Sequence, residues 1–142
     1  MAVILFYVTL ILCAMLTGAF WFIHVAYYPT FKYISAEFWS KFFSKRYQNT
    51  SMVVYPIMAF ETMANMALYF MMLHHRAYLA FSIATFLLIL IWIWHFVVLN
   101  RKMNQLSEGY SEEIFKDLQK SSFIRGMGYT LRLICLMVSL VG

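Results

Sequence analysis

Charge is what this sequence lacks most. Only 12% of its 142 residues are Asp, Glu, Lys or Arg, about half the share that a soluble domain carries. A freestanding soluble domain is excluded on that ground. Cysteine is also scarce, with two residues, so there is no disulfide framework of the kind that staples small secreted proteins. Cys13 and Cys135 fall at similar depth in two apolar segments. They could bond if those segments touch, or act as small apolar fillers. No Gly-rich phosphate loop and no acidic metal cluster occurs, and nothing supports Ser or Cys hydrolysis. Nothing basic precedes the first apolar run, which continues past twenty residues. That differs from a secretory signal and predicts a retained helix.

What is abundant is apolar side chain, at 63% of the chain. A membrane span needs roughly 20 mostly apolar residues. Segments of about 2–27, 52–73, 77–99 and 122–141 meet that length. The expected fold is an all-α membrane protein, a single domain over 1–142, with four transmembrane helices in an up-down bundle and two short amphipathic cytoplasmic helices. The eleven Met residues are dense around the second span and read as packing fillers rather than a copper site.

The basic residues give an orientation. Lys32, Lys41, Lys45 and Arg46 fall in the first long loop, and Arg101, Lys102, Lys116 and Lys120 in the second. The short "HHRA" turn on the other side carries Arg76 alone, beside His74 and His75. Short loops rich in Lys and Arg stay cytoplasmic. The expected placement is therefore a multi-pass protein of the inner (plasma) membrane, with both termini outside. Its net charge of +5 is accounted for by orientation and anionic lipid, with no nucleic-acid partner.

Both loops contain helical patterns. "SAEFWSKFFSKRYQ" (about 36–48 when helical) gathers Phe38, Trp39, Phe42, Phe43 and Tyr47 on one face. Such a helix serves either as an interfacial anchor or as a cover over a site. "YSEEIFKDLQKSS" (about 111–120 when helical) has Ser111 as cap, Glu112 and Glu113 at its start and Lys116 and Lys120 at its end, as the helix dipole favours. Its narrow stripe of Ile114, Phe115 and Leu118 suits docking on the bundle or the interface.

Polar residues inside spans are costly in hydrocarbon and should face the bundle interior. His24, Glu61, His95, Arg125 and Arg132 are the main set, with Asn65 beside Glu61. At a rise of about 1.5 Å per residue, His24, His95 and Arg125 share a shallow cytoplasmic tier, and Glu61 and Arg132 a middle one. Arg125 and Arg132 are seven apart and share a helix face with Tyr129 between them. Thr17, Trp21, His24 and Tyr28 make one stripe. Glu61 and Arg132 are expected to pair, and His24 to face His95 and Arg125. Gly126 and Gly128 allow close approach to the last helix by a neighbour or a flat ligand.

In order along the chain, "HVAYYPTF", "VVYPIMAFE" and "SSFIRGMGYTLR" resemble the landmarks of an uncharacterised family of small bacterial four-helix integral membrane proteins. The landmarks are a His before Tyr-Pro, a Pro-x-Met-x-x-Glu and two arginines seven apart. They mark His24, Tyr28, Pro29, Pro56, Met58, Glu61, Arg125 and Arg132, and they match the third helix, with His95, least well. The resemblance implies a site and no chemistry, since the family brings no activity.

Three functional classes compete. One is a membrane redox protein or enzyme acting on a lipophilic small molecule. There His24, Glu61, Arg125 and Arg132 would be catalytic, and haem b would be clamped by His24 and His95 with Arg125 at its propionates; a transition metal on His24, His95 and Glu61 is the variant. The second is a non-catalytic subunit that binds lipid or partner helices, including a second copy of itself. The third is a proton-linked carrier that titrates Glu61. The expectation leads with the first; the substrate itself is not encoded in any motif.

Overall fold

The computed structural model describes residues 1–71 and 78–141. His74, His75 and Arg76, expected in the short turn, lie outside the described residues. The described chain is all-helical, with no strand. Helix α1 (Ala2–Phe22) runs into a π turn at Ile23–Tyr27 and a 3₁₀ segment at Tyr28–Tyr33. Helix α2 (Ala36–Met71) comes next, then α3 (Tyr78–Trp94), a second π turn at His95–Leu99, α4 (Asn100–Glu108) and α5 (Glu112–Val141).

Three helical stretches, Ala2–Tyr33, Leu79–Glu108 and Glu112–Leu140, are long and apolar enough to cross a membrane. Long runs of Leu, Ile, Val and Phe are the cause, free of Asp, Glu, Lys and Arg over 1–31 and 79–100 and interrupted by Arg125 and Arg132 in the last stretch. The expected second span lies in α2, where Pro56, Glu61, Thr62 and Asn65 interrupt the apolar sequence. Many large apolar side chains remain exposed, including Val3, Ile4, Phe60, Met63, Phe70, Phe86 and Ile93, as a hydrocarbon solvent permits and water does not.

The two expected short helices are not separate elements. The first is the opening of α2, continuous through Asn49–Ser51; the second is the opening of α5. No Gly or Pro stands at either expected break, so nothing interrupts the backbone bonding. Nor does the opening of α2 rest its aromatic face on an interface. Trp39 and Phe43 are buried, with rings stacked at 5.4 Å. They join Tyr28, Phe31, Leu99, Leu106, Phe115 and Leu118 in a core at the basic end, and Trp39 Nε1 donates to the Leu106 carbonyl at 2.9 Å. Phe38, expected on that face, is exposed. The Ser111 hydroxyl accepts from the Ile114 N–H at 3.5 Å, at the start of α5.

A second core forms where α1 meets α2 and α5, and α3 meets α5. Phe6, Cys13, Leu16, Phe20, Met58, Leu68, Phe81, Ile91, Tyr129 and Leu136 are buried there. Both cysteines are free, and Cys13 is a fully buried filler. The close approaches at the glycines of α5 are made by neighbouring helices. A Cβ on Gly126 would lie 3.4 Å from the Trp21 ring, and one on Gly128 would lie 3.2 Å from Ile91.

Candidate functional site

The two buried arginines of α5 have different surroundings. Arg132, in the middle of the bundle, has every side-chain nitrogen occupied. Nη1 donates to Glu61 Oε1 in an ion pair, Nη2 to Asn65 Oδ1 at 3.0 Å, and Nε to the Ala84 carbonyl at 3.1 Å. Tyr129 donates to the other Glu61 oxygen at 3.3 Å, and Asn65 passes its amide N–H to Thr85 at 3.0 Å. Glu61, Asn65, Tyr129 and Arg132 have no solvent exposure. The network ties α2, α3 and α5 together, and its charges cancel locally.

Arg125, almost two turns nearer the basic end, is also buried. Its Nη1 meets His95 Nδ1 at 3.1 Å, and its guanidinium carbon sits 3.9 Å from the centre of the Phe20 ring. Its Nε is buried without a hydrogen-bond partner. A guanidinium can only donate, so Nδ1 of His95 is the acceptor and its Nε2 carries the proton. That fixes the direction of a chain of bonds. His95 Nε2 donates to the Tyr55 hydroxyl at 3.0 Å, Tyr55 faces the Tyr47 hydroxyl at 3.3 Å, and Tyr47 donates to Asn100 Oδ1 at 2.6 Å. With Tyr47 donating outward, Tyr55 donates to Tyr47, and each group in the chain donates once. His95 is held neutral in a single tautomer.

Arg125, His95, Tyr55 and Tyr47 form one wall of a cavity of about 50 Å³. Phe20, Ile23, Tyr27, Tyr28 and Phe31 come to it from the α1 side, Phe43, Tyr47, Val54 and Tyr55 among others from α2, and Met103 from α4. The opening half of α2 thus covers the site with its own aromatic face. Arg46, exposed at this cavity, stacks over Tyr27 at 5.1 Å and Phe42 at 5.3 Å. A single water needs ~10–15 Å³, whereas a drug-sized ligand occupies ~300–1,000 Å³. The enclosed part can therefore hold a headgroup, and the remainder of a larger molecule must lie outside it.

His24 is placed elsewhere. Its ring lies 5.6 Å from that of Phe123 and 6.0 Å from that of Trp21. It borders an open groove with Lys116, Gln119, Lys120 and Ile124, on the side of α5 turned away from Arg125. The expectation that it faces His95 and Arg125 is corrected by this placement. His24 lies at the start of the π turn of Ile23–Tyr27 and stays beside Trp21 of its stripe, while the wider i→i+5 bonding shifts the helical phase of the residues after it. Tyr28, expected on one stripe with His24, instead turns into the cavity.

The haem geometry expected from His24 and His95 does not fit, because the two rings serve different sides of α5. Both nitrogens of His95 are also engaged. The metal set of His24, His95 and Glu61 is dispersed for the same reason, with Glu61 committed to Arg132 and Tyr129. Among the described residues no three His, Cys, Asp or Glu side chains gather as a metal site. Of the expected catalytic set, Arg125 alone reaches the cavity; Glu61 and Arg132 form the network beneath it.

Tyr55 and Phe20 are site residues that the sequence pattern does not single out, and Tyr47 stands there only as one member of the aromatic covering face. Tyr47 and Tyr55 are eight apart, about 2.2 turns, a spacing that falls within one broad helix face. That signal is visible only if one helix runs through both. No family model, curated protein or solved structure matches the chain.

Proposed function

We propose that this chain is a multi-pass membrane protein that binds a lipophilic small molecule, with the polar end of that molecule in the cavity of Arg125, His95 and Tyr55. The observation that carries the reading is a buried cationic and tyrosine-lined polar wall inside an otherwise aromatic cavity, in helices built to face lipid. Pockets of this composition bind apolar bodies and orient them through a few polar groups. Membrane lipid is the solvent from which such a molecule arrives.

Four spans in an up-down bundle belong to this proposal. The apolar half of α2 turns Met52, Val53, Phe60, Met63 and Phe70 outward, which favours lipid on that side as well. The basic loops favour a cavity near the cytoplasmic leaflet of the plasma membrane, with both termini outside.

The relay from His95 through Tyr55 and Tyr47 to Asn100 supports proton transfer to or from the bound molecule, so an enzyme of this site would use those residues. A carrier that titrates Glu61 is less favoured, because both carboxylate oxygens are bonded within the bundle. The experiment is extraction and mass spectrometry of what co-purifies in a mild detergent, for the wild type and for Val54→Trp, which fills the cavity from α2. A lipophilic compound retained by the wild type and absent from the variant is expected. Identical extracts from the two would refute the reading.

A further inference from the structure

We infer that the molecule taken by this cavity is an anionic amphiphile, a carboxylate or phosphate on an apolar chain, with its oxyanion on Arg125. This rests on the cavity being a ligand site, as proposed above, and adds the charge of the ligand. The acids of the chain can be accounted for one by one. The chain has six Asp and Glu residues. Glu61 is committed to Arg132. Glu112 pairs with Lys116 at 2.8 Å and Asp117 with Lys102 at 3.5 Å, both near the surface. None of the six, Glu37, Glu108 and Glu113 included, lines the cavity.

Arg125 is nevertheless buried and always protonated. The ring nitrogen it meets belongs to a neutral imidazole, which supplies no negative charge. A buried cation without a counter-charge is unfavourable, and in a membrane it is a mark of function. The same helix demonstrates the alternative at Arg132, where the chain supplies its own carboxylate. At Arg125 the counter-charge has to come from outside the chain.

The unpartnered groups agree. Arg125 Nε and the Tyr27 hydroxyl are buried without partners, and both residues line the cavity. They are donors suited to an oxyanion, and a guanidinium takes a planar carboxylate or a phosphate through two parallel N–H bonds. Arg46, stacked on Tyr27, adds a second positive charge on the same side. The enclosed volume accepts the head alone, so the chain of the amphiphile lies along Ile23, Val54 and the lipid beyond.

The test uses three probes with one oleyl chain in a nonionic detergent: oleate, oleoyl-lysophosphatidate and oleyl alcohol. Binding to the full-length protein is measured by equilibrium dialysis and by native mass spectrometry. At least one of the two anions is expected to bind at least tenfold more tightly than the alcohol, and the preferred one identifies the head as carboxylate or phosphate. Arg125→Gln should abolish that preference and Arg125→Lys should restore part of it. If Arg125→Gln does not fold, Tyr27→Phe and the comparison of heads on the wild type decide. Equal binding of all three probes, reduced in Val54→Trp, would overturn the anionic assignment and leave the lipophilic site standing. Tighter anion binding that survives Arg125→Gln would place the preference on surface lysines and also overturn it. No binding of any probe, with no co-purified compound, would remove the site itself.

Discussion

Removing the Arg132 side chain should orphan a carboxylate at the centre of the bundle, and the cost can be worked out. In Arg132→Met, Glu61 loses its ion-pair partner and keeps two uncharged ones, the Tyr129 hydroxyl at 3.3 Å and the Cys13 thiol. Asn65 and the Ala84 carbonyl each lose one bond as well. Breaking one side of a buried pair costs about 3–5 kcal/mol. The escape open to Glu61 is to take up a proton. At pH 7 that costs a carboxyl of ordinary acidity about 3.7 kcal/mol, at about 1.4 kcal/mol for each pH unit above about 4.3, so the two routes agree in size. Proton uptake also sets the sign of the pH dependence. Because the variant escapes by binding a proton, its deficit relative to wild type should shrink by about 1.4 kcal/mol per unit as the pH falls from 7 toward 5. The double variant Glu61→Leu with Arg132→Met removes both charges and should recover most of the loss. Reversible unfolding in mixed micelles, monitored by tryptophan fluorescence at several pH values, measures each of these. A single variant that loses less than about 1 kcal/mol, or a double variant that loses the sum of the singles, would refute the coupling.

Two further outcomes are expected. Gly128→Val should destabilise the protein by about 1–3 kcal/mol, because a Cβ at this position already meets Ile91 at 3.2 Å and overpacking costs that much; Gly126→Ala, at ordinary contact distance from Trp21, should unfold with the wild type in the same micelle titration. For topology, single cysteines at positions 41 and 116 in a background without Cys13 and Cys135 should resist an impermeant maleimide added to whole cells and react in inverted vesicles; labelling of either from outside would overturn the assigned orientation.

Much of the helical content is legible in the sequence because it is written in long, mostly apolar runs. The Glu61–Arg132 pairing is legible because the two charges stand at equal depth in segments that cannot tolerate either alone. The cavity is legible only in part. Depth can be read by counting residues, and it places His95 beside Arg125. Azimuth relative to a neighbouring helix cannot be read that way: the stripe of Trp21 and His24 meets the side of α5 turned away from Arg125, and the π turn carries Tyr28 off that stripe into the cavity. The link between Tyr55 and Tyr47 is hidden differently. A boundary set between residues 48 and 52 divides one helix into a surface piece and a span, and the phase that puts both tyrosines on one face is lost with it. The aromatic face over the site is visible as a pattern. Its packing partners, Leu106 and Phe115, lie so far along the chain that no local rule connects them.

The two arginines on one face of α5 show how a single sequence feature divides into structure and site. By type, spacing and burial Arg125 and Arg132 are nearly alike, and seven residues make them neighbours on the same stripe. What separates them is the inventory around each. At Arg132 two helices bring a carboxylate and an amide oxygen from α2 and the Ala84 carbonyl from α3, enough to occupy the whole fork of donors. At Arg125 the neighbours are a neutral imidazole, the face of Phe20 and an aromatic cavity. A mutation that only removed packing would be felt at both positions. Charge should be felt differently: neutralising Arg132 strands an acid that the protein contains, whereas neutralising Arg125 strands none. Arg125→Gln is therefore expected to fold at least as well as the wild type in the absence of ligand, and to lose the wild type's gain in stability when an anionic amphiphile is added. A ligand-free Arg125→Gln as unstable as Arg132→Met would mean that Arg125 is already balanced within the fold, and the distinction between the two arginines would fail.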